Sequence, residues 1–553
     1  MPRGKTTAAK STVEWVRHCF PTPQTPCYHI LAAVRVDAGA DWKIQGASIN
    51  GERVRDYWVF NEGEYHKLRV MQRGGLATVA VRCDWRKGEK YELQLKAQQN
   101  EGTRKSTIKA RSEAPAEGGY WNASWKYYLG VVLRENSGNA RRYEPVHVTL
   151  ATYSDRIDDP KREVRVVEVD PVSGVQTEIP SQTYHASTWD APQQDEYVQD
   201  TTTCEVAFLA DVDAFSEKVY LVFYGNPRAK APSYKTDLSI KGRGLELDIE
   251  NSYYKMHTQD TGGAIDEIKM KMGVDAVFEH RLETNGAVQW NPGVYSPKRT
   301  WFHTSDWSPP PNYTVEKGPI FLMTKRWGAM PEYPELLVSI TYLLYAHNPY
   351  LMYSSTIDVV DDLHCIALRN GEFVFNRELF DEFAWIKPDG DVGNMKITDG
   401  PRHPRHAQRI EADTEWLAYY SREHGCGFGA MTLNTSEMRR SDGLPRRDYP
   451  YIYLAWGPWT YFSRVYTYAF GSNNPQRMVK VGKDTTYHEE MAFTPFQLGA
   501  TDDTRFDQLE EHNARLQDPL DVRYELDTDA RVPEEWLPPI LVSEFEEMED
   551  AED

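Results

Sequence analysis

Leu245-Glu246-Leu247-Asp248-Ile249-Glu250-Asn251-Ser252-Tyr253-Tyr254-Lys255-Met256, followed by Thr261-Gly262-Gly263-Ala264-Ile265-Asp266-Glu267-Ile268, decides the fold of this chain. Apolar and polar residues alternate through Leu245–Ile249, the period of a strand with one face buried. Gly262-Gly263 supplies a turn, and the aromatic pair Tyr253-Tyr254 stands where the first strand is covered. From Gly244 to Phe496 such strand patterns recur with almost no helical periodicity, most clearly in Leu337-Val338-Ser339-Ile340-Thr341-Tyr342-Leu343-Leu344-Tyr345. A run of strands this long implies two large stacked antiparallel sheets rather than a small barrel. One helix is predicted over Asp502–Leu516, where Phe506, Leu509 and Leu516 share a face. No repeat of fixed period is present, which disfavours a propeller.

Upstream, His29–Leu95 alternates as a small β-sandwich, with Asn50-Gly51 as a hairpin signal. Glu113-Ala114-Pro115-Ala116-Glu117-Gly118-Gly119 is a linker, and a second strand-rich block runs from Trp121 to Tyr224. The predicted organisation is all-β: sandwiches over 1–112 and 120–235, an antiparallel β-supersandwich over 240–540 with one short C-terminal helix, and an acidic tail over 541–553.

At 553 residues the chain exceeds what one core usually supports. Its 40% hydrophobic and 26% charged content is that of a globular protein. The net charge of −20 repels phosphate backbones and anionic lipid, so neither nucleic acid nor a membrane is an expected partner. The 16 Trp and 33 Tyr fit surfaces that stack flat ligands, and point to a poly- or oligosaccharide. Cys19, Cys27, Cys83, Cys204, Cys365 and Cys426 form no CxxC pair; Cys19 and Cys27 can bridge only in an oxidising compartment, and thiols are the expectation. No signal-peptide core precedes the first block, so the sequence as it stands reads as cytoplasmic, or as secreted if a leader was removed. The glycosylation-type triplets at Asn122, Asn312 and Asn434 are then chance matches.

The 245–268 segment resembles the opening hairpin of the galactose-mutarotase-like β-supersandwich, a fold of carbohydrate-active enzymes that occurs in polysaccharide lyases and in the β domains of several glycosidases. Two small β domains around a supersandwich also resemble the all-β rhamnogalacturonan lyases, although those place the large domain first. The resemblance implies a glycan-active enzyme.

No phosphate-binding glycine loop and no HExxH zinc spacing is present, and the proline in His403-Pro404-Arg405-His406 prevents a regular helix face. No cofactor and no catalytic metal is implied; a structural calcium ion held by loop carboxylates is left open. Four clusters carry chemistry. The first, Trp301 to Pro311, offers Trp301, Trp307 and His303 as a sugar-stacking loop or as a plug for the end of the sandwich. The second, Lys325-Arg326-Trp327, suits a substrate carboxylate or an ordinary ion pair with a nearby glutamate. The third, from His364 through Arg369 to Glu378 and Asp381-Glu382, reads as charges at a solvated strand edge, with Glu378 and Asp381 as a possible acid/base pair. The fourth and densest spans His403, His406, Arg409, Trp416 to His424, and Tyr451, Tyr453, Trp456, Trp459, Tyr461 and Arg464. Alternation puts Trp416, Ala418, Tyr420 and Arg422 on one face, mixing rings with a cation as a glycan-contacting surface would.

Elimination from a uronate needs a cation for the carboxylate, a base for the C5 proton and an acid for the leaving oxygen. The assignments expected are Arg326 or Arg422 as cation, His303, His403 or His424 as base, and Tyr420 or Tyr461 as acid, with Trp301, Trp307, Trp416, Trp456, Trp459 and Arg464 binding substrate. The alternatives are a glycoside hydrolase using an Asp/Glu pair, and a non-catalytic carbohydrate-binding β protein. A convergence of His, Tyr and Arg favours an enzyme; a flat aromatic platform favours binding alone.

Overall fold

The computed structural model describes residues 12–19, 27–36, 38–61, 64–84, 90–100, 102–113, 121–122, 124–170, 176–190, 200–271, 278–281, 292–375, 379–397, 408–442, 450–456, 460–468 and 474–524. The chain is all-β, as its alternation predicts, with antiparallel sheets throughout and a single helix longer than one turn among the described residues. It divides into two compact units: the described residues of Met1–Arg142, Val146–Ser233 and Leu520–Asp553, and those of Tyr143–Pro145 and Tyr234–Pro519.

The first unit holds both small sandwiches. One closes a core of Ile30, Val34, Val59, Val79, Val81, Leu93 and Leu95 between two five-stranded sheets. Its Asn50-Gly51 signal is a tight hairpin turn, both residues at positive φ between Trp42–Ile49 and Glu52–Val54. The other stacks a five-stranded sheet on the three strands Arg141–Tyr153, Thr201–Val212 and Ser181–Trp189. Its large sheet gains the strand Asp521–Tyr524, which pairs with Tyr127–Arg134. That differs from the expectation that everything over 240–540 belongs to the supersandwich: after the helix the chain returns to the first unit. Cys204 here, and Cys365 and Cys426 in the second unit, are buried thiols.

The second unit begins with the segment that decided the fold. Glu246–Glu250, Tyr254–Thr258 and Ile265–Met270 form an antiparallel meander that buries Leu247, Ile249, Tyr254, Met256, Ile265, Ile268 and Met270. Gly263 turns at a φ of 65°. Beyond the meander lie two stacked sheets. The six-stranded one runs Thr300–His303, Gly293–Ser296, Ala367–Phe375, Thr460–Tyr468, Tyr451–Trp456, Gln408–Glu411. The nine-stranded one runs Asn312–Lys317, Phe321–Met330, Tyr333–Tyr345, Leu351–Val359, Thr485–Gln497, Cys426–Arg439, Trp416–Ser421, Glu382–Ile386, Val392–Lys396.

Rings hold the two sheets together. Phe373, Phe375 and Phe462 of the six-stranded sheet meet Tyr419, Phe428 and Phe493 of the other, Phe373 stacking on Phe493 at 4.0 Å. Each such pair adds about 0.5–1.5 kcal/mol beyond its area burial. The helix, Asp507–Gln517, lies against the opposite face of the nine-stranded sheet, where Phe506 and Leu509 cover Trp416, Ala418, Tyr420, Met431 and Phe496. The outer face of the six-stranded sheet carries polar and aromatic side chains, several of them buried, and these build the site.

Candidate functional site

Three of the expected residues meet on that outer face, around a residue that was not expected there. Trp301 and His303, two apart on one strand, stack in near-parallel planes with ring centres 5.5 Å apart, and Tyr295 of the neighbouring strand stacks on Trp301 with ring centres 5.1 Å apart. The Arg369 guanidinium lies 4.3 Å above the Trp301 ring and within 6 Å of the Tyr461 and Tyr468 rings. Such cation–π contacts contribute about 2 kcal/mol where water is excluded. Arg369 is 6% exposed, and its Nη1 pairs with the fully buried Glu372 at 3.1 Å. Tyr453 packs on Tyr461 and Tyr468, and Arg409 caps Tyr451 at 4.5 Å, so the ring surface crosses the whole sheet.

The electrostatics follow from burial. Burial works against the Arg369 charge, but Glu372 and the tyrosines outweigh it, so its pKa is raised and it stays cationic. Burial lifts the Tyr461 hydroxyl to about 12, against the pull of Arg369, and it also raises Tyr451, Tyr453 and Tyr468. These hydroxyls therefore remain proton donors at neutral pH. His303 is nearly buried; its backbone N–H donates to Asp306 Oδ2 at 2.8 Å, and its ring Nδ1 lies 3.6 Å from the same oxygen.

The face thus gathers a cation, an imidazole, phenolic donors and a stacking surface. Sequence reasoning had set Arg369 at a solvated strand edge. The signal it passed over was Asn370-Gly371 inside an apolar strand, the mark of a bulge.

Other expected residues are elsewhere, for physical reasons. Arg326 is fully buried; its guanidinium donates to the Gly262 carbonyl and, at 2.9 Å, to the Tyr342 hydroxyl, so it braces the Gly262-Gly263 turn instead of meeting a substrate. Trp307 is buried with its Nε1 donating to the Ala329 carbonyl at 2.9 Å, which makes it the plug of its loop. Trp416 and Tyr420 do share a face, but the helix covers it, their rings packing on Phe506. Arg422, half exposed at the end of that face, pairs with Glu382 at 2.8 Å, and the Tyr420 hydroxyl donates to the same carboxylate at 2.7 Å. His424 sits in the turn beyond, its N–H 3.4 Å from the Ser421 hydroxyl. Arg464 points between the sheets, locked to Glu489 at 2.6 Å. Trp456 ends its strand, paired with Thr460. Asp381 lies 3.8 Å from Lys396 in a surface pair. His403, His406, Trp459 and Glu378 lie outside the described residues. Among the described residues no group of three His, Cys, Asp or Glu side chains is arranged to hold a metal ion, and no helix is long and apolar enough to cross a membrane.

No protein-family model and no curated protein matches the chain. Among solved structures it is similar to an alpha-mannosidase from Enterococcus faecalis V583, with a TM-score of 0.43 and 11% identity over 72% of this chain and 46% of that one. It is similar to a galactose mutarotase-like protein from Lactobacillus casei ATCC 334, with a TM-score of 0.30 and 12% identity over 45% of this chain and 100% of that one. A galactose mutarotase related enzyme from Lactobacillus acidophilus gives a TM-score of 0.28 and 11% identity over 46% of this chain and 98% of that one. The chain spans about half the length of the alpha-mannosidase. At these scores function has to be argued from the site.

Proposed function

We propose that this is a carbohydrate-active enzyme whose working face is the outer face of the six-stranded sheet, and that it cleaves a uronate-bearing glycan by β-elimination. The observation that supports this is the placement of the Arg369 guanidinium directly over Trp301 and beside the Tyr461 ring. A sugar ring packed against the partly exposed edge of Trp301 brings a carboxylate to the cation; Arg369 Nε is buried with no hydrogen-bond partner among the described residues. In the elimination, His303 takes the C5 proton, the C5–H electron pair becomes the C4–C5 double bond, and the C4–O bond breaks. Tyr461, protonated at neutral pH, delivers a proton to the departing oxygen. This keeps His303 and Tyr461 of the expected residues and moves the cation to Arg369.

Hydrolysis by a carboxylate pair is less favoured, because Glu372 is committed to Arg369 and Asp381 stands in its own pair with Lys396. Non-catalytic saccharide binding is the second reading, favoured by the neutralisation of Arg369 by Glu372. Incubation with pectic, ulvan and glycosaminoglycan polymers, followed by product mass and ultraviolet absorbance, separates the three. Elimination gives an unsaturated uronate, hydrolysis adds a water, and binding alone gives no product. Absence of the unsaturated product with every polymer overturns the lyase assignment.

A further inference from the structure

Arg369 and Glu372 are three residues apart, and in a regular strand such residues point to opposite faces. Here their side chains meet at 3.1 Å. The cause is a bulge: Asn370 pairs with Arg464 and Phe373 with Phe462, so three steps on one strand match two on its neighbour. The extra residue turns Asn370 and Gly371 inward together, restores Phe373 to the core, and leaves both charged side chains on the outer face.

The bulge is fastened from inside. Asn370, fully buried, accepts from the Tyr353 hydroxyl at 2.8 Å and the Gly371 N–H at 2.9 Å, and donates to the Ser355 hydroxyl at 2.6 Å. Gly371 has a φ of 55°, and a Cβ there would stand 2.6 Å from Glu489 Oε2. Glu489 is in turn fixed by Arg464, whose Nη1 donates to the Ala412 carbonyl at 2.6 Å. These polar groups interrupt a core otherwise made of phenylalanine and tyrosine rings. A buried polar network costs desolvation that ring packing does not, and its groups converge on the bulge.

We infer that Asn370, Gly371 and Glu489 are positioning residues: from the inter-sheet core they set the direction in which Arg369 presents its guanidinium to a saccharide carboxylate. The inference rests on the outer face being the working face, and its test separates the two. The Arg369 Nε–Hε resonance, assigned by loss in Arg369→Lys, reports the guanidinium's place over Trp301 without any ligand. Gly371→Ala, which forces Glu489 and the added methyl apart, is expected to shift that resonance and to cut unsaturated-uronate formation from polygalacturonate by about a hundredfold, the cost of a displacement near 1 Å. Tyr353→Phe, a milder change that removes only a hydroxyl, is expected to shift it in the same direction and to cost about tenfold. Met431→Ala, a core change under the helix on the opposite face of the nine-stranded sheet, is expected to lower the thermal midpoint and leave both readouts unmoved. An unmoved resonance in both Gly371→Ala and Tyr353→Phe overturns the inference. A shifted resonance in a protein whose Arg369→Ala variant neither loses turnover nor weakens polygalacturonate binding supports the positioning and overturns the working face.

Discussion

The Arg464–Glu489 pair is the most informative place to perturb this protein. Both residues are at most 2% exposed and meet at 2.6 Å between the two sheets. Replacing Arg464 by Met keeps most of the side chain's volume and leaves a carboxylate with nothing to balance it. Removing one partner of such a pair destabilises by about 3–5 kcal/mol, because the remaining charge is desolvated without compensation. At about 1.4 kcal/mol per tenfold, amides in Thr460–Tyr468 and Thr485–Gln497 should exchange about a hundredfold to a few thousandfold faster in deuterated buffer at neutral pH.

The pH dependence carries a sign. Burial raises the Glu489 pKa above its ordinary 4.5 while Arg464 pulls it down, so Arg464→Met raises it further. A carboxyl whose pKa is raised on folding is favourable while protonated, below about pH 4.5, and that contribution is lost as pH climbs through the folded value. The variant's excess exchange, corrected for the intrinsic rate, should therefore shrink as pH is lowered from 8 towards 5. An acceleration of less than about threefold, or one equal at both ends of that range, would refute the reasoning.

Four further outcomes follow from the same geometry. Arg369→Ala and Tyr461→Phe should each lower unsaturated-uronate release by about a hundredfold or more in initial-rate assays, since they remove the cation and the proton donor. Arg422→Ala should leave turnover unchanged and cost less than about 1 kcal/mol in thermal unfolding, because Arg422 is 48% exposed in a surface pair away from the working face. His512 is buried against the Tyr350 hydroxyl at 2.8 Å, and burial holds its pKa down to about 4. Its depressed pKa gives stability that is complete above pH 6.5 and lost as pH falls towards 4, on the order of 3 kcal/mol, so exchange along Asp507–Gln517, corrected for the intrinsic rate, should accelerate on acidification, and His512→Gln should abolish that dependence.

The alternation of Leu245–Ile249 and of Leu337–Tyr345 was enough to say all-β and to find the meander and the long strands, because a period of two is a local property of each strand. The same locality made the helix legible: Phe506, Leu509 and Leu516 share a face whatever that face packs on. Trp301, His303 and Tyr461 were legible as chemistry-bearing types, and they do meet. What sequence pattern could not decide is which of a strand's two faces meets solvent. Trp416, Ala418, Tyr420 and Arg422 alternate as a binding face would, yet a helix more than eighty residues downstream covers the first three. Arg326, Arg369, Arg422 and Arg464 look alike in sequence, but they are respectively a turn brace, a cation over a ring, a surface partner and an inter-sheet lock.

The amino-acid sequence by itself determined the strands, because alternation and turn residues act between neighbours. Only the tertiary structure decided the site. Stacking two sheets gives each strand one core face and one outer face, and a single extra residue at Asn370-Gly371 reverses which side chains occupy which.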